Sequence, residues 1–160
     1  EFDNSGNFTT SFNTSYDIDA ELLLFEEAFW FVADTGRVRD GQPVFALFRE
    51  VNGNRQEMIE GVENLQVKFG QLVDAAGNIR YVDPSDAALN AGVSYEGVRT
   101  VRFALLVQSF EAVTDQEDDA SYRLLDVDIP ATGSGAAHNG GRVLRRVFTR
   151  TVNLRNAPEF

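Results

Sequence analysis

The stretch Val-Arg-Thr-Val-Arg-Phe-Ala-Leu-Leu-Val-Gln-Ser-Phe, residues 98–110, contains the pattern that decides the fold class. Successive side chains of a β-strand point to opposite faces, so alternating residue types indicate a strand. One alternating set is Val101, Phe103, Leu105 and Val107, and the other is Thr100, Arg102, Ala104 and Gln108. The pattern predicts a β-strand over Val98–Phe110.

Similar patterns on both sides of this segment predict further strands joined by short turns. The predicted strands are Phe25–Ala33, Val44–Val51, Met58–Val73, Ile79–Val82, Tyr122–Ile129 and Val143–Leu154. Turns are predicted in the region from Asp34-Thr35-Gly36 to Gly41 and at Asp74–Asn78. Asp83-Pro84-Ser85-Asp86 predicts a short helical turn through Leu89. In the closing strand, alternation leads us to expect four inward side chains, namely Leu144, Phe148, Val152 and Leu154.

Many strands, little helix and hairpin-length connections predict an α+β fold that is mostly β, built on an antiparallel sheet. The 160 residues fit a single domain, 1–160, in which residues 1–19 form an extended or loop-like entry segment. No predicted helix is long enough to cover a face of the sheet. Either two sheets pack together, or the covering helix is absent from this chain.

The charge balance excludes some classes of partner. The chain has 25 acidic and 14 basic side chains, a formal net charge of −11, and no Cys. This acidity argues against nucleic acid as a partner, and the lack of Cys excludes disulfides and thiolate sites. Five Arg are concentrated in residues 142–160, which indicates cross-strand ion pairing or docking on an acidic neighbour.

Three features could indicate catalysis or ligand binding, and each can also be explained without either. His138 is the only His, lies in a Gly-rich loop, and has no Cys partner and no evident Ser nucleophile elbow. The loop Asp115–Asp119 offers oxygen ligands for calcium without the spacing of an EF-hand, so a solvated acidic loop is favoured. Trp30, between Phe29 and Phe31, suits either core packing or sugar stacking. The sequence predicts no catalytic, cofactor-binding or metal-binding residue and no enzyme activity.

Two segments resemble those of a known family. Residues 59–70, IEGVENLQVKFG, resemble an internal segment of PilW-type minor pilins, and residues 144–156, LRRVFTRTVNLRN, resemble the ending of the same family. Three further segments are similar to strands of the family: 29–34, 47–49 and 98–109. Together the similar segments extend over most of residues 20–156.

The resemblance implies a pilin-like or pseudopilin-like domain and a structural role. Such a minor pilin helps to prime type IV pilus assembly near the pilus tip, and the family is associated with adhesion and twitching motility. Its expected partners are other minor pilins and a tip adhesin. Because pilins begin with a hydrophobic helix, we expect this chain to be the soluble C-terminal part of a longer protein. That protein would be anchored in the inner membrane, facing the periplasm, and would reach the cell surface in the pilus.

The sequence leaves two alternatives open. One is a J-type minor pseudopilin of type II secretion, which would share the architecture but serve another machine. The other is a carbohydrate-binding β-domain that uses Trp30.

Overall fold

The computed structural model describes residues 26–86, 97–131 and 137–154, and these contain nine β-strands and no α-helix. The strands are β1 (Ala28–Arg39), β2 (Gln42–Val51), β3 (Asn54–Glu60), β4 (Val62–Leu72), β5 (Ile79–Val82), β6 (Val98–Gln108), β7 (Tyr122–Leu124), β8 (Val127–Ile129) and β9 (Arg145–Asn153). Every pairing among them is antiparallel. The prediction of a mostly β, antiparallel fold is confirmed.

The strands form three sheets, with orders β1-β2-β3, β5-β4-β6-β9 and β7-β8. The first two sheets are joined at Gly61, where the chain passes from β3 to β4 with a φ of 81°. The Gly61 N–H donates to Phe45 O at 2.8 Å, and the Gly61 carbonyl accepts from Gln108 N at 2.9 Å. The predicted single strand Met58–Val73 is therefore two strands, since a left-handed glycine interrupts it.

The first hairpin turns at the end of the predicted turn region, which runs from Asp34 to Gly41. Its turn lies at Asp40 and Gly41, which have φ values of 49° and 78°, as the tight turns of hairpins require. Only the start of the predicted region is wrong, because Asp34–Gly36 lie in a bulge inside β1, where the register shifts between Asp34 and Val38. In this bulge the Gly36 N–H donates to Asp34 Oδ1 at 2.8 Å.

Tyr122–Ile129 is a small hairpin rather than one strand, since Leu125 adopts a φ of 57° between β7 and β8. The predicted turn before β5 is confirmed, with Asp74 accepting hydrogen bonds from the backbone N–H groups of Ala76 and Asn78. The entry segment 1–19 and residues 87–89 of the predicted helical turn lie outside the described residues. In the described part of that turn, Asp86 N donates to Asp83 O at 2.9 Å.

The β7–β8 hairpin covers one face of the four-stranded sheet and creates the main core. Leu124 and Ile129 of the hairpin pack with Ala104 and Leu106 of β6, and all four are fully buried. Lys68 on β4 ties the hairpin to the sheet through ion pairs with Asp126 in the hairpin turn, at 2.5 Å, and with Asp83 after β5, at 3.0 Å. Core packing thus uses the Ala104 face of β6.

This choice of face overturns the orientation expected for β9. Pairing with β6 confirms the strand, but Phe148 is 52% exposed and Val152 is 49% exposed, and Leu144 and Leu154 are exposed as well. Phe148 pairs with Leu105, on the face opposite Ala104. The inward residue is instead Val147, which packs against the core. Alternation establishes that two faces differ, but it does not indicate which face a distant hairpin will cover.

Within the described ranges, no helix has the length and hydropathy that a membrane span needs.

Candidate functional site

A buried charge cluster lies where β9 begins. The Arg145 side chain is 0% exposed and forms two hydrogen bonds to Glu63 of β4, from Nε to Oε2 at 2.6 Å and from Nη2 to Oε1 at 3.0 Å. Arg145 Nη1 donates to Asp118 Oδ2 at 2.9 Å, and the same oxygen accepts from the Tyr122 hydroxyl at 2.9 Å. Arg145 therefore holds β4, β9 and the loop before β7 together, by the paired geometry that favours Arg over Lys.

The electrostatics of this cluster favour its charged form. Burial acts to lower the pKa of Arg145, but hydrogen bonds and attraction from Glu63 and Asp118 outweigh burial and raise that pKa. Burial also acts to raise the pKa of Asp118, but Arg145 and Tyr122 stabilise its carboxylate, so that pKa is lowered. The pKa of Tyr122 is raised by burial and by the adjacent carboxylate. The cluster is a permanent ionic contact at neutral pH.

His138 belongs to the same region and has a packing role. It is buried, with Nε2 2.8 Å from Ala120 O, while Nδ1 accepts from Gly140 N at 3.1 Å. These bonds assign the proton to Nε2, and the ring lies edge-on to Tyr122 at 5.5 Å. Because both ring nitrogens contact backbone groups, His138 is placed to order its loop rather than to move a substrate proton.

The side chains of the acidic loop point in different directions, and so do those of the aromatic run. Neither group converges on one site that could bind a ligand. Asp118 turns inward to Arg145, whereas Asp115 lies 3.9 Å from Arg142 on the surface. In the part of the chain that the structure describes, no group of three or more His, Asp or Glu side chains could hold a metal ion. Phe31 stacks on Phe48, while Trp30 is half exposed on the other face of β1.

A groove of about 390 Å³ lies between the β1–β2 turn, the Gly61 corner and the loops around 109–117 and 140–143. Arg39 and Arg142 both line the groove. Arg39 pairs with Glu60 at 2.7 Å and lies over the Phe110 ring at 5.5 Å. Ser109 Oγ donates to Glu111 O and accepts from Leu144 N, so this hydroxyl is occupied by backbone partners. Arg39 and Glu60 neutralise each other in this lining. The described lining residues include no nucleophile–base pair.

An apolar surface is the second feature of the site. Cross-strand pairing places Phe148 beside Leu105 and Val152 beside Val101, on the sheet face opposite the β7–β8 hairpin. Leu65 of β4 pairs with Leu105 and extends the same face. Open apolar surface of this kind is typical of a contact with another protein.

The sequence did not predict the Arg145 cluster, although a signal for it was present. Glu63 lies in the segment 59–70 and Arg145 in the segment 144–156, the two stretches that carry the family resemblance. The ion pair between Glu63 and Arg145 gives a physical reason why an acidic residue stands in the first segment and a basic residue in the second.

The described strands form an antiparallel β-domain whose open apolar sheet face is typical of a contact with another protein. Residues 38–156 match the family model of the type IV pilus-assembly protein W, PilW. The chain therefore belongs to the PilW family of type IV pilus-assembly proteins. No curated protein and no solved structure gives a significant match to the chain.

Proposed function

We propose that this chain is the pilin-like domain of a non-enzymatic minor pilin that helps to prime type IV pilus assembly. It acts in a small complex with other minor pilins near the pilus tip, where a tip adhesin is a further partner. The full-length protein is anchored in the inner membrane and faces the periplasm before assembly, and it is displayed on the cell surface afterwards. Membership of the PilW family supports this proposal.

The observation that carries the proposal is the exposure of Phe148 and Val152 on one face of β9. Both continue onto the apolar residues of β6 with which they pair, Leu105 and Val101. A flat apolar sheet face suits a protein partner better than a small ligand, which needs a concave site.

The test is binding of the purified chain to the periplasmic domains of the other minor pilins from the same gene cluster, measured by calorimetry. We expect weak binding, because membrane anchoring supplies effective concentration in the assembled machine. Phe148→Ser should weaken binding, whereas the matched variant Val38→Ser, at an exposed site on β1, should leave binding unchanged. Absence of binding at high micromolar concentration contradicts the proposal.

A second candidate function rests on Trp30, which is 50% exposed with its neighbour Phe29 also exposed. Exposed aromatic rings can stack on sugars, so a glycan-array signal that Trp30→Ala abolishes would favour carbohydrate binding. The genes next to this one separate a type IV pilus from a type II secretion machine, in which a J-type pseudopilin would be expected.

A further inference from the structure

The outer edge of β9 is the longest regular free sheet edge among the described strands. β9 contributes nine residues and pairs with β6 on one side without a register shift. At the opposite edge of the same sheet, β5 has four residues. In the other large sheet, the pairings of β1 and β3 each contain a register shift. Bulges and short strands protect those edges from pairing, and β9 has neither protection.

Two hydrogen bonds fix which backbone groups of β9 point outward. Leu154 N donates to Arg99 O at 2.8 Å, and Leu144 O accepts from Ser109 N at 2.8 Å. Antiparallel pairing alternates inward and outward groups, so even-numbered residues bond to β6 and odd-numbered residues face away. The residues whose N–H and C=O groups face the free edge are Val147, Thr149 and Thr151.

The side chains on one face of this edge alternate between cationic and apolar. In order they are Arg146, Phe148, Arg150 and Val152, all exposed. Neither Arg146 nor Arg150 forms an ion pair among the described residues, although the chain has a net charge of −11. The edge is thus a basic strip on an acidic protein.

We propose that the free edge of β9 binds an extended strand of another protein, with acidic residues opposite Arg146 and Arg150 and apolar residues opposite Phe148 and Val152. The strand adds to the sheet through the outward groups of Val147, Thr149 and Thr151. Backbone bonds supply affinity in this mode, and the alternating side chains supply specificity. The inference rests on the proposed function and assigns the free edge of β9 as one of its binding surfaces.

Charge argues against a second copy of this chain as the occupant. Two β9 strands paired edge to edge would bring Arg146 and Arg150 of both copies onto one strip. Like charges on neighbouring strands oppose pairing, whereas an acidic strand gains from the same arrangement.

The probe is a synthetic nine-residue peptide with blocked ends, Thr-Val-Thr-Glu-Thr-Val-Thr-Glu-Thr, titrated into the chain and followed by NMR or calorimetry. A Lys-for-Glu version is the control peptide. We expect the acidic peptide to bind and the control peptide not to bind. Arg150→Glu should weaken binding roughly fivefold, since an opposite-charge pair becomes a like-charge pair. The matched charge change Arg80→Glu, exposed on β5, should not weaken it.

A backbone variant separates strand addition from simple charge attraction. Thr149→Pro removes an outward N–H but no bond to β6, so it should abolish binding, while Thr149→Val should preserve it. Equal binding of both peptides or of both Thr149 variants overturns the proposal. The proposal is also overturned if the Arg150→Ser variant self-associates and the peptide does not bind. The arginines would then serve only to prevent edge-to-edge pairing of the domain. Binding of minor pilins without peptide binding would leave the pilin function standing and remove this surface from it.

Discussion

Arg145 Nε lies 2.6 Å from Glu63 Oε2, although the two residues are 82 positions apart and β6 separates their strands. The guanidinium reaches across the intervening strand and ends in a fully enclosed position. This contact joins the opening of β4 to the opening of β9, so it fixes the register of the four-stranded sheet at one end.

Removal of the Arg145 charge should be costly. Arg145→Met leaves Glu63 buried without its cation, so we expect a loss of about 3 to 5 kcal/mol in the free energy of unfolding. The adjacent Arg146→Met, at an exposed site, should change it by less than about 0.5 kcal/mol. Chemical denaturation measures both. Equal effects of the two variants would mean that the cluster does not stabilise the fold.

Stability should fall in acid partly through Asp118, whose pKa is lowered in the folded state by its contacts with Arg145 and Tyr122 despite the opposing effect of burial. Its contribution is full above the unfolded Asp value of about 3.9 and is lost as the pH falls through the folded pKa. We expect Asp118→Asn to reduce the loss of stability in that acid range, measured by denaturation at stepped pH. The exposed Asp119→Asn variant is the control, and an identical effect there would contradict the assignment to Asp118.

The unexpected orientation of β9 can be measured directly. Leu106 is fully buried, so Leu106→Ala should cost about 2 to 5 kcal/mol. Phe148 is half exposed, so Phe148→Ala should cost about 1 kcal/mol. A larger loss at Phe148 than at Leu106 would show that the core lies on the other face.

Gly70 should not tolerate a side chain. A Cβ at Gly70 would meet Thr100 Oγ1 well inside contact distance and Ile79 Cγ2 at 2.9 Å. We expect Gly70→Ala to lower the thermal midpoint, with an overpacking cost of about 1 to 3 kcal/mol. At Gly97 the nearest atom is the flexible Gln71 Cγ at 3.3 Å, so Gly97→Ala should be much milder. Similar midpoints for the two variants would contradict this account of the Gly that ends the segment 59–70.

Local patterns predicted the strands better than they predicted what packs on them. The alternation of residue types located β6 and β9, because this pattern depends only on residues that are adjacent in the sequence. The break at Gly61 and the bulge at Gly36 depend on left-handed backbone that many glycines could adopt, so the sequence alone did not distinguish them from ordinary strand and turn positions.

The site was harder to predict for the same reason. The ion-pair partners of Arg145 come from two distant segments, and no local spacing relates Glu63 to Asp118. Which face of β9 is covered depends on the β7–β8 hairpin, which the sequence suggested was a single strand.

The ion pairs of Lys68 have a consequence for mapping partners by chemistry. Lys68 is the only lysine among the 160 residues, and its ammonium group is held between Asp126 and Asp83 with little solvent exposure. The two carboxylates raise its pKa, led by the hydrogen bond to Asp126, so the unprotonated amine that acylating reagents require is scarce. Crosslinkers that react with lysine side chains will therefore label this domain poorly. Reagents that react with its many carboxylates are better suited to locating neighbouring proteins.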